Sequence, residues 1–368
     1  MKILLCFGTR PEAIKMAPLY HELIKHKNFD LKVCVTAQHR EMLDQVLDFF
    51  EIIPDYDLHV MQPSQTLNGL SAQILSKMDA VLNNVKPDLV LVHGDTTTST
   101  MSALAAFHLG IKVGHIEAGL RTYNKTSPFP EELNRQLTGR IADFHFAPTQ
   151  KAAENLLHEG VKKNTIVITG NTVVDALNLT IAKLAQGFTN KTIENLKKNI
   201  NFNKKVILVT GHRRESFGEG FENICKAILE LAQNKEAAIV YPVHLNPNVQ
   251  KPVFEMLSGV ENIHLIAPID YPSFVWLMSK SALIISDSGG IQEEAPTLKI
   301  PVLVTRETTE RDEGIKVGCS YLVGTNTAKI VQMANELLQP KLSIAAHANP
   351  YGDGKASEKI VNFIKTHI

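Results

Sequence analysis

Short apolar segments rich in β-forming residues recur along this chain, and a helical pattern follows nearly every one of them. They are Lys2–Phe7, Leu31–Thr36, Leu89–Val92, Val113–Ile116, Phe144–Ala147 and Ile166–Thr169, then Val206–Thr210, Ile239–Val243, Ile263–Ile266, Leu283–Ile285 and Val302–Val304. Segments this continuously apolar are typical of strands buried on both faces, as in parallel sheets covered by helices. The alternation therefore predicts an α/β protein with right-handed crossovers.

The length of 368 residues suits two domains. A polar, helical stretch between about 182 and 203 interrupts the strand series early in its second half. We place the boundary near Gly170, with one Rossmann-like domain over residues 1–170 and a second over residues 171–355. The last segment, residues 356–368, is predicted to be a single helix that packs back on the first domain.

The charges exclude several classes of partner. Lys plus Arg and Asp plus Glu are balanced at 38 each, so there is no basic excess to hold nucleic acid or an anionic membrane. No stretch approaches the ~20 apolar residues of a membrane helix, and Gly8–Glu12 breaks the first apolar run too early for a signal peptide. The four scattered cysteines fit a reducing compartment, so we expect a cytoplasmic protein.

The segment from Leu283 to Pro296 has the pattern of a phosphate-binding turn. A strand is followed by the polar residues Ser286–Ser288, then by Gly289 and Gly290 at the start of a helix. The first N–H groups of a helix have no internal partner, and glycine lets an anion approach them closely. Glu294, one turn further on, could reach the hydroxyls of a ribose. This pattern predicts a nucleotide site, with an ordinary strand-to-helix turn as the alternative.

Polar residues follow most of the predicted strands, at the edge where open parallel sheets bind ligands. In the first half they are Arg10, Glu12, Lys15, Gln38, His39, Arg40, His93, Asp95, Glu117, Arg121, Glu131, Glu132 and Arg135; in the second they are His212 to Glu215, His244, Asn246 and Ser288 to Gly290. Two such edges facing one another would form a cleft with carboxylates on one wall and a phosphate site on the other.

Several of these residues also have a structural interpretation. Asp95 could be the N-cap of the helix that follows it. Glu131 and Glu132 open a helix, where negative charge suits the helix dipole. His212 could be a structural histidine. Glu117, by contrast, follows a buried strand, and a carboxylate there is hard to explain by packing.

No metal or organic cofactor is expected. The loops contain no His-x-x-x-His or Cys-x-x-Cys pair with ligand spacing. The first turn, Gly8 to Ala13, lacks the Gly-x-Gly-x-x-Gly pattern of a nicotinamide site, and the chain has no Walker loop or nucleophile elbow.

Six motifs in order along the chain match a known family. They are Gly8-Thr-Arg-Pro-Glu-Ala13, Val92-His-Gly-Asp-Thr96, His115-Ile-Glu-Ala-Gly-Leu-Arg121, Pro130-Glu-Glu-Leu-Asn-Arg135, Thr210-Gly-His-Arg-Arg-Glu215 and Asp287-Ser-Gly-Gly-Ile-Gln-Glu-Glu294. In these, the chain resembles the non-hydrolysing UDP-N-acetylglucosamine 2-epimerases of bacteria. The resemblance implies a GT-B fold, with two Rossmann-like domains whose parallel sheets face across a deep cleft, and a homodimer. It also implies reversible conversion of UDP-N-acetylglucosamine to UDP-N-acetylmannosamine for surface polysaccharide synthesis.

The resemblance also implies roles for individual residues. UDP is eliminated across C1–C2 to leave 2-acetamidoglucal, and then adds back with C2 protonated on the other face. The implied catalytic residues are Asp95, Glu117, Glu131 and His212. The implied substrate-binding residues are Arg10, Lys15, Arg135, Ser288, Gly289, Gly290, Glu294 and Arg311. A second, activating UDP-N-acetylglucosamine is expected at Gln38, Gln65, Glu132 and His244, although Ser64 stands where some members carry arginine.

Four other functions remain open. A 2-epimerase of a modified UDP sugar, of the 2,3-diacetamido uronic acid type, would share these motifs, and a hydrolysing epimerase would release the free sugar. A GT-B glycosyltransferase needs an acceptor site and does not explain three carboxylates in the first domain. A sugar-nucleotide sensor without turnover would not need those carboxylates or His212.

Overall fold

The computed structural model describes residues 1–37, 40–61, 65–339 and 349–368. The chain divides into two compact units, Met1–Leu179 with Tyr351–Ile368 (unit 1) and Thr180–Pro350 (unit 2). Each unit is built on a parallel sheet, which confirms the predicted α/β class with two such domains. Within the described ranges, none of the helices is both long and apolar enough to cross a membrane.

Unit 1 alternates strands and helices. Its strands are β1 (Lys2–Phe7), β2 (Asp30–Val35), β3 (Tyr56–Asp57), β4 (Leu89–His93), β5 (Lys112–Ile116), β6 (Phe144–Ala147) and β7 (Ile166–Ile168). Its helices are α1 (Arg10–Ile24), α2 (Arg40–Phe49), α3 (Leu67–Val85), α4 (Thr97–His108), α5 (Glu131–Ile141) and α6 (Gln150–His158), followed by α7 (Thr172–Ala185), which continues into unit 2. In the described residues, seven strands form one parallel sheet in the order β3-β2-β1-β4-β5-β6-β7.

The strand order of unit 1 reverses between β1 and β4, which pair directly with Cys6 opposite Val92. Both strands are almost wholly buried, because their apolar side chains are covered by helices on both faces. The loops that leave β1 and β4 therefore emerge side by side at the carboxyl edge of the sheet, the usual ligand site of such folds.

Unit 2 repeats this arrangement. Its strands are β8 (Lys205–Thr210), β9 (Ala237–Pro242), β10 (Ile263–Ile266), β11 (Leu283–Ser286), β12 (Val302–Val304) and β13 (Ser320–Leu322). Its helices are α8 (Lys191–Asn199), α9 (Glu219–Leu231), α10 (Pro247–Leu257), α11 (Tyr271–Ser279), α12 (Gly289–Glu294), α13 (Asp312–Lys316) and α14 (Thr327–Leu337). The described strands form a six-stranded parallel sheet ordered β10-β9-β8-β11-β12-β13, which reverses between β8 and β11.

The chain passes from unit 1 to unit 2 after Leu179, within α7, rather than near Gly170. The first two turns of α7 bury Val173, Ala176 and Leu177, so they remain part of unit 1. The last helix, α15 (Ala356–His367), belongs to unit 1 and packs on α1.

Asp175 of α7 caps the N-terminus of α15. It accepts hydrogen bonds from the backbone N–H groups of Ala356 at 3.2 Å and Ser357 at 2.8 Å. Burial raises the pKa of Asp175, and these hydrogen bonds oppose that rise. The carboxylate therefore fastens the C-terminal helix to the helix that leads out of unit 1.

Candidate active site

Glu12 joins the loops that follow β1 and β4. Its carboxylate accepts from the N–H groups of Gly8 at 3.0 Å and Thr9 at 2.8 Å, completing a capping box with Thr9 at the start of α1. Its other oxygen accepts from the Thr96 hydroxyl at 2.7 Å. Burial raises the pKa of Glu12 to about 7. Glu12 thereby fixes the start of α1, which carries Arg10, against the loop that carries Asp95.

Thr96, rather than Asp95, is the N-cap of α4. Its side chain accepts from the Ser99 N–H at 3.1 Å. The alternative interpretation of Asp95 as a helix cap is therefore wrong, because the capping position belongs to the next residue. The Asp95 carboxylate is instead directed to Arg135 Nη2 at 2.5 Å, and its backbone oxygen accepts from Asn134 at 2.9 Å.

Asp95 has the surroundings of a proton-transfer group. About a quarter of its side chain (25%) is exposed, whereas Arg135 is buried. Burial raises the pKa of Asp95, the positive charge of Arg135 opposes this, and the charges of Glu117 and Glu131 add to the rise. The other two predicted carboxylates, Glu117 and Glu131, therefore act on Asp95 within unit 1.

Glu117 follows β5 and has a left-handed backbone, with φ of 62°. This conformation is uncommon for a residue with a β-carbon, and such strain is concentrated at functional sites. Its Oε2 atom is paired with the Lys15 ammonium and accepts from Asn171 Nδ2 at 2.6 Å. The structure thus brings Lys15 and Glu117 together, as expected of site residues, and adds Asn171, which the sequence motifs did not indicate.

His93 lies close to the Glu117 carboxylate. It is buried at the end of β4, with Nε2 3.9 Å from Glu117 Oε2, and neither ring nitrogen has a hydrogen-bond partner among the described residues. Burial lowers the pKa of His93 to about 4, so the ring is neutral at pH 7. Its position after the strand was visible in the sequence, but nothing there distinguished it as a member of the site.

The neighbouring carboxylates Glu131 and Glu132 have different surroundings. Glu131 is partly exposed at the first position of α5. Glu132 is fully buried and accepts from the N–H groups of Thr122 and Tyr123, at 3.0 Å each, and from Gln136 at 2.7 Å. Glu132 therefore holds the loop before α5, because a buried carboxylate needs such donors. Its predicted activator role remains a prediction.

In unit 2, Asp287 organises the ends of β8 and β11. Its Oδ2 atom accepts from the N–H groups of His212 at 2.7 Å and Arg213 at 2.8 Å. The His212 ring lies 3.4 Å from Asp287 Oδ1 and stacks on His244, with 5.2 Å between ring centroids. Burial lowers the pKa of His212, and the Asp287 charge opposes that shift. The ring is 44% exposed and can meet a ligand.

The two glycines of the predicted phosphate turn serve different purposes. A β-carbon on Gly289 would lie 2.5 Å from the Arg311 guanidinium, so this glycine makes room for a buried arginine. A β-carbon on Gly290 would have its nearest neighbours at 3.9 Å (Ser288) and 4.0 Å (Glu294). Packing within the protein therefore does not require glycine at 290, whereas close approach of a ligand would.

Charged residues next to this turn form a network of ion pairs. Arg311 donates from Nε to Glu293 at 2.7 Å and is paired with Glu310. Burial would raise the pKa of Glu310, but the charges of Arg311, Arg306 and Arg213 lower it to about 2. Arg311, predicted to bind substrate, is thus held in an ion-pair network at the base of the turn.

The remaining predicted residues are placed as follows. Glu294 is buried and accepts from the Tyr271 hydroxyl at 2.7 Å. The side-chain amide of Gln65 is buried with no hydrogen-bond partner among the described residues, and Gln38 and Ser64 lie outside them. Within the described ranges, no group of three or more His, Cys, Asp or Glu side chains is arranged to hold a metal ion.

Comparison with known proteins confirms the resemblance inferred from the motifs. A family model described as UDP-N-acetylglucosamine 2-epimerase matches residues 21–365. The UDP-N-acetylglucosamine 2-epimerase of Salmonella typhimurium is 54% identical, over 100% of this chain and 99% of the relative.

Two solved structures extend the likeness to the fold. The Neisseria meningitidis UDP-GlcNAc 2-epimerase bound to UDP-GlcNAc is 52% identical with a TM-score of 0.94, covering 100% of both chains. The Methanocaldococcus jannaschii enzyme, in complex with UDP-GlcNAc and UDP, is 35% identical with a TM-score of 0.84, covering 99% of both.

Proposed function

Since this chain belongs to the UDP-N-acetylglucosamine 2-epimerase family, it is an isomerase of a UDP sugar, and we propose that it interconverts UDP-N-acetylglucosamine and UDP-N-acetylmannosamine without hydrolysis. The observation that carries this proposal is the group of carboxylates at the carboxyl edge of the unit 1 sheet. Asp95 and Glu117 each have a cationic partner there, Arg135 and Lys15 respectively. A glycosyltransferase or a sensor gives no reason for this arrangement.

The chemistry requires two proton-transfer groups. C2 of the sugar is next to no carbonyl, so simple removal of its proton would be very slow. Elimination avoids this difficulty: a base takes the C2 proton as the C1–O bond breaks, the electron pair forms the C1–C2 double bond of 2-acetamidoglucal, and UDP departs as an anion. In the return step UDP re-forms the bond to C1 while an acid protonates the other face of C2. Groups on both faces must lie within hydrogen-bond reach of C2.

The two carboxylates suit these tasks differently. Glu117 is paired with Lys15 and accepts from Asn171, and both interactions favour the charged form that a base needs. Asp95 has a pKa raised first by burial, which favours the protonated form that an acid needs. We therefore assign Glu117 as the base and Asp95 as the acid in one direction, with exchanged roles in the other, and place Glu131 beside them.

Unit 2 supplies the groups for UDP in this proposal. Ser288, Gly289 and Gly290 would receive the diphosphate, and Glu294 would hold the ribose. His212 would meet the charge on the leaving oxygen. The presence of UDP-GlcNAc and UDP with relatives of the same fold supports this assignment. UDP must be retained after the C1–O bond breaks, because the glycal has to be attacked again before either molecule escapes.

Incubation with UDP-N-acetylglucosamine in deuterated water tests the proposal. We expect NMR to show UDP-N-acetylmannosamine carrying deuterium at C2, because the proton taken by the base exchanges with solvent. Free sugar with UDP would indicate hydrolysis instead, and unchanged substrate would indicate a binding protein. Turnover confined to a 2,3-diacetamido uronic acid substrate would replace the proposed substrate with the modified sugar.

We also propose that the protein is a cytoplasmic homodimer and that it binds a second UDP-N-acetylglucosamine as an activator. All four cysteines are buried and unpaired, which suits a reducing compartment.

Self-association is supported by α5, which exposes Leu133 (43%) and Leu137 (44%) one turn apart. Light scattering is expected to give twice the chain mass of 40.7 kDa. Leu137→Glu should shift the protein toward monomer, whereas the same change at Leu179 on α7, also exposed, should not. An unchanged dimer in Leu137→Glu would show that α5 is not the interface.

A further inference from the structure

Asn171 is hydrogen-bonded to three different parts of unit 1. It is buried in the loop between β7 and α7. Its Nδ2 donates to Glu117 Oε2 at 2.6 Å, its Oδ1 accepts from the Val173 N–H at 3.0 Å, and its own N–H donates to the Tyr351 carbonyl at 2.7 Å. One residue thus contacts a proposed catalytic carboxylate, the first turn of α7 and the returning C-terminal chain.

Asn171 directly precedes α7, the helix in which the chain leaves unit 1, and lies beside the segment at which the chain returns. The outgoing chain runs through α7, and the returning chain re-enters at Tyr351. Beside Asn171 the two backbones are in close contact: a β-carbon on Gly170 would lie 3.0 Å from Gly352 Cα. Both glycines have positive φ, +88° and +139°, so a side chain at either would be strained as well as crowded.

Asn171 differs in charge from the ionised groups near Glu117. Lys15 supplies positive charge from α1, while Asp95 supplies negative charge from the loop after β4. His93 is neutral at pH 7 and lies 3.9 Å away. Asn171 is a neutral donor on the same oxygen as Lys15, so it restricts the orientation of the carboxylate without changing the net charge around it.

We propose that Asn171 is a positioning residue for the base Glu117, and that it makes the position of this carboxylate depend on the path of the two chain connections. The proposal rests on the epimerisation proposed above. The Asn171 backbone is hydrogen-bonded to Tyr351 and its side chain to Glu117 and Val173, so a displacement of the returning chain or of the first turn of α7 would move the Nδ2 donor. Proton transfer is sensitive to shifts of this kind, because the base must lie within hydrogen-bond reach of its proton.

Two substitutions at Asn171 remove the hydrogen bond to Glu117 but keep an oxygen that can accept from the Val173 N–H. Asn171→Ser keeps a side-chain oxygen that can cap the Val173 N–H but is too short to reach Glu117, and it adds no charge. Asn171→Asp keeps the cap and places a second carboxylate beside Glu117. We expect kcat at neutral pH to fall about 10-fold to 100-fold in Asn171→Ser and further in Asn171→Asp. UDP affinity should be unchanged, and the acidic limb of the pH–rate profile should move to higher pH in the same order.

A separate substitution tests whether the returning chain at Gly352 influences the position of Glu117. Gly352→Ala disturbs the contact with Gly170 without touching Glu117, and it should shift the same limb in the same direction by less. Gly160→Ala is the matched control, because Gly160 also has positive φ (+81°) but nothing within 4 Å of its β-carbon position. We expect it to lose some stability and leave the pH–rate profile unchanged.

A readout independent of turnover is the titration of Glu117 itself. In protein labelled with ¹³C at the glutamate carboxyl, the Glu117 resonance is assigned by its absence in Glu117→Gln. It should titrate at higher pH in Asn171→Ser and Asn171→Asp than in the unchanged protein. An unshifted titration in both variants would overturn the positioning role, and an unshifted titration in Gly352→Ala would overturn the link to the connections. If the unchanged protein shows no epimerisation but the resonance shifts as expected, the proposed function fails and the positioning role stands.

Discussion

Replacing Asp95 with asparagine is expected to abolish conversion of UDP-N-acetylglucosamine to UDP-N-acetylmannosamine while leaving UDP affinity intact. Asparagine has the same shape but cannot give or take the proton, and loss of such a group lowers turnover by about 10²-fold to 10⁴-fold. UDP affinity should persist because the proposed diphosphate groups belong to unit 2. Conversion is measured by NMR in deuterated water, and affinity by calorimetry with UDP.

The fold should tolerate this change, since Thr96 rather than Asp95 caps α4. Loss of a cap would instead lower stability by ~1 kcal/mol with activity retained. Asp143→Asn is the matched control: Asp143 accepts from the Val113 N–H at 2.8 Å at the opposite, amino edge of the same sheet. It should reduce stability slightly and keep turnover. Turnover by Asp95→Asn similar to that of Asp143→Asn would remove Asp95 from the mechanism.

The sequence predicts the long buried strands well, because a strand covered on both faces must be continuously apolar. It misses β3 (Tyr56–Asp57) and β13 (Ser320–Leu322), which are two and three residues long. Each lies at an edge of its sheet and pairs with one neighbour, β2 or β12. Such strands are formed by hydrogen bonds to the neighbouring strand, and their own residues carry no apolar run that a sequence pattern could reveal.

Position after a strand predicted the location of Asp95 and Glu117, because the carboxyl ends of parallel strands share one edge. The residues that hydrogen-bond to these carboxylates were harder to predict from the sequence. Asn171 is 54 residues from Glu117 along the chain and reaches it only because β6 and β7 extend the sheet beyond β5. Likewise Glu131 and Glu132 are adjacent in sequence, but the rotation of α5 against the sheet buries only Glu132. These contacts depend on strand order and helix rotation, which no single motif specifies.

Gly290→Val is expected to weaken UDP binding by about 100-fold, or about 3 kcal/mol, while the fold is retained. The side chain would occupy the space through which a diphosphate approaches the first N–H groups of α12. The protein itself has room for the β-carbon, since the nearest atoms to it lie at 3.9 and 4.0 Å. Valine also has a higher helix propensity than glycine, so thermal unfolding should change little.

Gly289→Ala is expected to lower stability, and is the comparison that makes the first variant informative. Its β-carbon would lie 2.5 Å from the Arg311 guanidinium, which is bonded to Glu293 and Glu310. The guanidinium would have to shift away from these buried carboxylates, so a lower unfolding temperature is expected. UDP titration and thermal unfolding of both variants separate the two effects. Native UDP affinity in Gly290→Val would exclude this turn as the diphosphate site, because a diphosphate bound there would collide with the valine side chain.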